Sequence, residues 1–470
     1  MQEKCAIVNL STIDLGNRID AEYFSLEYLE LESILVAKDC KQLRDYCVTT
    51  GSAFYPAAQH LYEIGDLPFI RCVDCVSFPV ITMRQDLLFE KIPTSFADEH
   101  SNVKRLSKGE IVVTKVGTPC YASIIHDIDQ VALSRTVLGL KSINGIDPYY
   151  LIAFLRSKYG FTQLLREREL TIQLQLTLDR VNNILVFKPT DTRLEDLIAG
   201  CFSSYEMYIG QAEQLYSEAQ TLLLSELGLA DWQPKPQTES VRNFSDVWSV
   251  GRMDAEYYQP KYDDIESIIK EYPLGYSQIG NEFTQNRYNF KIDTDKMYHY
   301  VEIGSVNVTT GEVAPLELLG SALPANAKLV LNKGDVIISK VRTYRGAITI
   351  VTEDGYVGSG AFCTLRESGR INKETLLAFL HSKPLLEYSL KTNRGTSYPV
   401  IADDDILKIP IPLVNPQTQE QIQQKITESF DKRRQSRALL ERAKRAVEIA
   451  IEQDEAAATA WLDNAVADTC

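Results

Sequence analysis

From Thr190 to Gly228 apolar residues recur in an unbroken 4-3 rhythm: Leu194, Ile198, Cys201, Tyr205, Tyr208, Ala212, Leu215, Ala219 and Leu222. That spacing holds all nine on one stripe of an α-helix, and its average of about 3.5 is the seam of a coiled coil. Thr192-x-x-Glu195 offers a capping box at the start, and Gly228 followed by Pro234 and Pro236 offers the stop. A second seam runs through Ile422, Ile426, Ser429, Arg433, Ser436, Leu440, Ala443, Val447 and Ala450, apolar at both ends and polar between. Asn415-Pro416 is a fitting N-cap and first-turn pair for it, so a second long helix is predicted from 416 to about 453. The polar middle lowers stability but fixes register and partner.

Ahead of each helix the period shortens. Ile111-Val-Val-Thr and Ile124-Ile125, bounded by Gly109, Gly117 and Pro119, predict short strands joined by turns. Ile409-Pro-Ile-Pro412 is extended and closes the second globular part. The two helices carry opposite charge. Lys425, Lys432, Arg433, Arg434, Arg437, Arg442, Lys444 and Arg445 lie on the distal one; Asp191, Glu195, Asp196, Glu206, Glu213, Glu218 and Glu226 lie on the central one against Arg193 alone. They are expected to pair antiparallel, the alternative being two helices that each pack on their own domain.

The chain also repeats itself. Arg18-Ile-Asp-Ala-Glu-Tyr-Phe returns as Arg252-Met-Asp-Ala-Glu-Tyr-Tyr. Leu106-Ser-Lys-Gly-Glu-Ile-Val-Val-Thr-Lys-Val116 returns as Leu331-Asn-Lys-Gly-Asp-Val-Ile-Ile-Ser-Lys-Val341, and Leu151-Ile-Ala-Phe-Leu-Arg-Ser-Lys158 as Leu376-Leu-Ala-Phe-Leu-His-Ser-Lys383. A tandem duplication gives two related surfaces with approximate two-fold symmetry, suited to a two-fold object such as duplex DNA.

Composition is that of an ordinary globular protein, 44% hydrophobic and 24% charged over 470 residues. No run approaches the roughly 18 apolar residues of a membrane span, and the N-terminus lacks a secretory pattern. Nine scattered cysteines suit free thiols, so the cytoplasm is the expected compartment. A net charge of −15 speaks against nucleic acid, but much of the acid lies on the central helix and in a tail carrying Glu452, Asp454, Glu455, Asp463 and Asp468.

Taken together, the duplicated blocks, Gly395-Thr-Ser-Tyr-Pro-Val-Ile leading to Ile409-Pro-Ile-Pro-Leu413, and the Pro416-x-x-x-Glu-Gln-x-Ile422 helix start resemble the specificity subunit of type I restriction-modification systems. The resemblance covers essentially the whole chain. It implies an α+β fold with two similar β-rich target-recognition domains, separated by two long helices that pair as an antiparallel coiled coil with pseudo-two-fold symmetry. The segments are 1–189 and 230–413 for the domains, 190–229 and 414–455 for the helices, and 456–470 for a flexible acidic tail. Each domain would read half of a split site in double-stranded DNA. The helices would space the domains and dock two methyltransferase subunits, with two restriction subunits where the system has them. S-adenosylmethionine and ATP would sit on those partners, and this chain would bind no cofactor. The first half departs from the pattern: Thr171-Ile-Gln-Leu-Gln-Leu-Thr-Leu178 replaces Gly-Thr-Ser-x-Pro-x-Ile, so a differently built contact loop is expected there.

Guanine is read by Arg or Lys, and adenine and phosphate by amides and hydroxyls. In the second domain Lys340, Arg342, Thr343, Tyr344 and Arg345 follow a strand closely, a cluster that a core seldom needs, although a solvated strand end has the same look. The matching turn of the first domain keeps Lys115, Thr118 and Tyr121. Arg394, Thr396, Ser397 and Tyr398 form a second candidate loop, equally readable as an ordinary turn, and Arg135 is a further candidate. The repeated Arg18/Asp20/Glu22 and Arg252/Asp254/Glu256 sets read better as structural ion pairs, because sameness does not suit the reading of different sequences. Cys72-x-x-Cys75 lacks a second pair for zinc, Gly358-x-Gly360 lacks the third glycine of a dinucleotide site, and no Walker A or amino-methyltransferase sequence occurs. No catalytic residue and no metal ligand is assigned. The rival reading is a coiled-coil adaptor between proteins that ignores DNA, and the acidic balance is its support.

Overall fold

The structure, a computed structural model, describes residues 20–53, 60–169, 175–234, 239–286, 290–308, 311–395 and 398–467. It divides into two units, one made of residues 1–208 with 434–470 and the other of 209–433. This differs from the linear segmentation expected from the sequence: each unit takes half of each long helix.

Those helices form over Thr192–Glu226 and Pro416–Glu452. All nine residues of the distal seam are buried, the polar ones included. On the central helix Leu194, Ile198, Cys201, Tyr205, Ala212 and Ala219 are buried, whereas Tyr208, Leu215 and Leu222 yield to Ile209, Tyr216 and Leu223, one position on. The cause is a second covering body. Tyr216, Ala219 and Leu223 belong to the core of the second unit together with Tyr262, Ile265 and Ile426, so this half of the helix is wrapped on more than one side.

Within the second unit the helices run antiparallel, Lys425 pairing with Glu218 at 2.6 Å and the Ser429 hydroxyl donating to the Ala212 carbonyl at 2.7 Å. In the first unit the order is again opposed: Arg442 acts on Cys201, and Glu455 reaches Thr190. Of the opposite charges that predicted pairing, Lys425 and Glu218 meet in space, whereas Lys444 and Arg445 pair with acids of their own helix and Glu206 with Arg84.

The helix ends correct one expectation and bear out others. Thr192 does not cap: Asp191 does, its carboxylate accepting from the Arg193 amide at 2.9 Å, while Glu195 accepts from the Asp147 amide at 3.2 Å. A carboxylate one residue earlier is simply the stronger cap, and Glu195 is drawn to a globular partner. Gly228 ends the helix at φ +70° with Leu229 N donating to Leu224 O, the closure expected of a left-handed glycine. Asn415 caps the distal helix through the Gln417 amide at 2.9 Å.

The tail is not a loose acidic segment. Glu455–Ala467 is a helix, with Ala458 and Leu462 buried and Asp454 capping it through the Ala457 amide at 2.8 Å. Its first carboxylate, Glu455, accepts from the Thr190 and Asp191 amides at 3.0 and 2.8 Å, and Asp463 pairs with Arg193 at 2.6 Å. An alanine-rich run has the propensity to form this helix, and it offsets charge by sitting against a helix N-terminus.

Each unit carries sheets of the same plan. In the first, Val48–Gly51, Val137–Lys141, Ile111–Thr114, Ala122–Ile125 and Val80–Ile81 lie side by side in that order, and a second sheet holds Lys91–Ile92, Leu67–Ile70, Gln130–Leu133 and Arg105–Ser107. In the second unit the orders are Phe283–Gln285, Phe362–Glu367, Val336–Ser339, Ile348–Ile350, and Leu316–Leu319, Met297–Val301, Tyr356–Ser359, Ala327–Leu331. Pro410–Pro412 pairs antiparallel with Tyr276–Gln278 in a two-stranded ribbon, a place where missing prolyl amides do no harm.

The repeated motifs prove to be devices of the fold. In Lys-Gly-Glu/Asp the glycines take φ +81° and +90° at 109 and 334, and the following carboxylate closes the turn: Glu110 accepts from the Ser107 amide at 2.8 Å, Asp335 from that of Asn332 at 3.0 Å. Asp335 is wholly buried and held by Arg366 at 2.8 and 2.9 Å. The opening motifs anchor their domains. Asp254 binds Arg252 at 2.8 Å and the Tyr257 amide at 3.1 Å, and Asp20 binds the Tyr23 amide at 3.0 Å; Arg18 lies outside the described residues. Arg166 lies 4.2 Å over the Tyr23 ring and 3.0 Å from Glu32, and Lys391 lies 5.3 Å over the Tyr257 ring and bonds Glu266. The structural reading of the repeated acidic sets is the one supported.

Candidate nucleic-acid interface

In the second unit the strand Val336–Ser339 is buried throughout, so the chain leaving it must turn outward to reach the next strand at Ile348. The Ser339 hydroxyl donates to Val341 O at 2.8 Å, and that of Thr343 to Ser339 O at 2.6 Å. Thr343 is therefore corrected from a contact residue to a buried pin of the turn. Arg342 adopts φ +50°, ψ +46°, an αL conformation that few residues other than glycine hold without strain. Gly346 closes the turn at φ +81°.

The second candidate loop meets the first. Val341 bridges Val400, the Arg342 amide donates to Pro399 O at 2.9 Å, and the Arg342 guanidinium lies 4.7 Å from the centre of the Tyr398 ring. Arg394 and Val400 exchange both backbone hydrogen bonds at 2.9 Å and close the loop base. Arg342, Arg394 and the exposed Tyr398 thus come together, with Arg345 exposed on the same turn as Arg342, a cationic-aromatic composition of the kind that phosphate and base contacts require. Lys340 stands at its edge, 3.3 Å from Asp403. Tyr344 turns the other way, into a cavity it lines with Tyr216, Gln220, His381 and Leu386. Thr396 and Ser397 lie outside the described residues.

The first unit has the same frame 225 positions earlier. The Lys115 amide donates to Thr136 O at 2.8 Å as that of Lys340 does to Ala361 O at 2.9 Å, and Lys115 O accepts from Leu176 N at 3.0 Å as Lys340 O does from Ile401 N at 2.9 Å. Val116 bridges Gln175, and Glu169 bridges Gln175, matching Val341, Arg394 and Val400. The loop expected to be differently built therefore has the same hydrogen-bonded base; its tip at 170–174 lies outside the described residues. What differs is chemistry. Gly117, at φ +95°, stands where the other unit has Arg342, and Glu169 stands where it has Arg394. Thr118 is exposed, and Arg135 is exposed beside Thr136, whose carbonyl holds Lys115. Tyr121 packs its ring 6.0 Å from that of Phe161 and is half-buried, so it is more wall than contact. Sequence reasoning missed Glu169 and Gln175. The constant separation that links Lys115 to Lys340 and Leu151 to Leu376 was the signal that locates them.

Comparison with known proteins adds a match over part of the chain. Residues 277–446 match the model of the type I restriction modification DNA specificity domain. No curated protein matches. Among solved structures the chain is similar to the S subunit of a type I restriction-modification system from M. genitalium, with 12% identity over 87% of this chain and 94% of that one and a TM-score of 0.38. It is also similar to the HsdS subunit from Thermoanaerobacter tengcongensis, with 15% identity over 88% and 96% and a TM-score of 0.29. The family match thus rests on residues 277–446, which span most of the second unit and the greater part of the distal helix.

Proposed function

We propose that this chain is the sequence-reading subunit of a type I restriction-modification complex. Its two units would read the two halves of a split site in double-stranded DNA. The observation that carries this reading is a shared frame with unshared chemistry: two turn-and-loop pairs held by equivalent backbone bonds present Arg342, Arg345 and Arg394 in one unit and Gly117 and Glu169 in the other. Two halves of unlike sequence need that combination. The adaptor reading is weakened, because Glu218, Glu455 and Asp463, among the acids that supported it, are engaged by basic side chains or helix amides.

The chain would carry no catalytic centre and bind no cofactor, with S-adenosylmethionine and ATP on methyltransferase and restriction partners, and it would work in the cytoplasm, where the host's DNA is. Two methyltransferase subunits, one for each repeat, fit a duplicated chain. Support for a protein surface comes from Val241, Phe244 and Trp248, exposed just ahead of the second opening motif, and from Met253, exposed within it. The helix pair would set the gap: 35 residues at about 1.5 Å each make about 52 Å, roughly one and a half turns of B-DNA.

The test is selection from a random duplex pool by the chain with its methyltransferase partner. The expected result is a split motif with a fixed gap, bound more weakly as salt rises. Enrichment of no motif would return the adaptor.

A further inference from the structure

The eight-residue block that begins at Leu151 and returns at Leu376 is the same in both units except for a buried Ile152/Leu377 exchange and one polar position, Arg156 against His381. That unlike polar position touches the end of each reading turn. Arg156 donates from Nη1 to the Ala122 carbonyl at 2.6 Å, at the end of the Lys115–Tyr121 turn. His381 faces the Gly346 carbonyl from Nε2 at 3.1 Å, at the end of the Lys340–Gly346 turn, and the Val308 carbonyl at 2.9 Å. Two oxygens opposite one ring nitrogen require that nitrogen to carry hydrogen, whatever the charge of the ring. Burial lowers the imidazole's affinity for a second proton, and the two carbonyls partly restore it.

The same residue is fastened to the long helix of its unit. Gln220 Nε2 donates to the His381 carbonyl at 3.2 Å, and the Tyr216 ring meets the imidazole edge-on with centres 5.8 Å apart. A Cβ at Gly346 would lie 3.0 Å from His381 Nε2, so the turn and the ring are fitted to each other. Arg156 likewise lies where Tyr205 and Glu441, one from each long helix, act on its charge.

We propose that His381 and Arg156 are the positioning residues of the two reading turns, each locking its turn to the helix pair so that half-site readout depends on a main-chain hydrogen bond outside the DNA surface. This rests on the reading of those turns as DNA contacts. His381 sets the place of the turn that carries Arg342 and Arg345; Arg156 does the same for the turn that carries Lys115 and Thr118.

The experiment uses the full chain with its methyltransferase partner and competition binding to duplexes altered in one half-site or the other. His381→Gln keeps a donor where Nε2 stands; His381→Asn places it nearer Nδ1; His381→Ala removes it. The expected result is about a tenfold loss of discrimination at one half-site for Asn and Ala, the effect of one lost hydrogen bond, with Gln within about twofold of wild type. The other half-site stays unchanged, and Arg156→Ala produces the converse. The inference is overturned if His381→Ala leaves both half-sites unaltered, if both weaken together, or if Gln and Asn behave alike. A wild-type complex that selects no split site sinks the functional reading and this inference with it, whereas a split site insensitive to all four variants sinks the inference alone.

Discussion

Arg394 lies 3.4 Å from Asp405, and the equivalent pair 225 positions earlier, Glu169 with Arg180 at 3.5 Å, has the charges exchanged. The geometry of the loop base is kept while the sign that faces outward is reversed. Arg394→Glu alone sets two carboxylates face to face, so its unfolding midpoint should fall. Adding Asp405→Arg should bring stability back to within about 0.5 kcal/mol of wild type, since exposed pairs couple by less than about 1 kcal/mol. Half-site binding should stay lost in the double variant, because the cation has moved. Urea titration with a binding assay reads both.

Arg342 and Tyr398 act as one element through their stacking, so Arg342→Ala and Tyr398→Ala should be non-additive in binding. Each of Arg342→Ala and Arg345→Ala should cost about 10- to 100-fold at one half-site and nothing at the other. Arg342→Gly is expected to lose the same readout yet leave the fold at least as stable, because glycine accepts φ +50° without strain. Differential scanning calorimetry beside competition binding separates the two effects.

How much of this was legible beforehand follows from the range of the interactions. The two long helices, the Gly228 stop and the Asn415 cap depend on spacing and neighbours a few residues apart, and the sequence carries such signals in full. The meeting of the 340–346 turn with the 394–400 loop joins residues more than fifty positions apart, and nothing local reports it. Thr343 and Tyr344 sit among good contact residues in the sequence, but a hydroxyl bond to Ser339 and a cavity beside Tyr216 turn them inward. The terminal helix was hidden by its charges: Glu455 and Asp463 read as a solvated tail until Thr190 and Arg193 are seen opposite them.

Glu266 gives a prediction in pH. Burial pushes its carboxyl upward, but hydrogen bonds from Lys270, Lys391 and Tyr388 outweigh this and hold it at about 2. A folded value below the ordinary 4.5 means a contribution that is complete above about 4.5 and is lost as pH falls towards about 2. Glu266→Gln should therefore destabilise by on the order of 2 kcal/mol at pH 7, with the difference from wild type shrinking through that window. Urea midpoints at pH 3, 5 and 7 check it.

Phe244→Ala with Trp248→Ala changes two exposed residues and should leave folding intact. If they form one of two docking places for the methyltransferase, the purified complex should fall from two such subunits per chain towards one, as measured by light scattering. A ratio that stays at two removes this surface from the assembly.

Spacing and identity of the half-sites should separate. Seven residues added to each long helix lengthen it by about 10 Å, and the gap in the recognised site should grow by about three base pairs with both halves unchanged. A site that keeps its gap would remove the helices from the role of spacer.

The most direct measurement is sequencing of the methylated positions in the host genome, with this chain present and with it deleted. The account predicts methylation at one split motif with a constant number of unread base pairs between its halves, all of it gone on deletion. Methylation at an uninterrupted motif, or a split pattern that survives deletion, would contradict it.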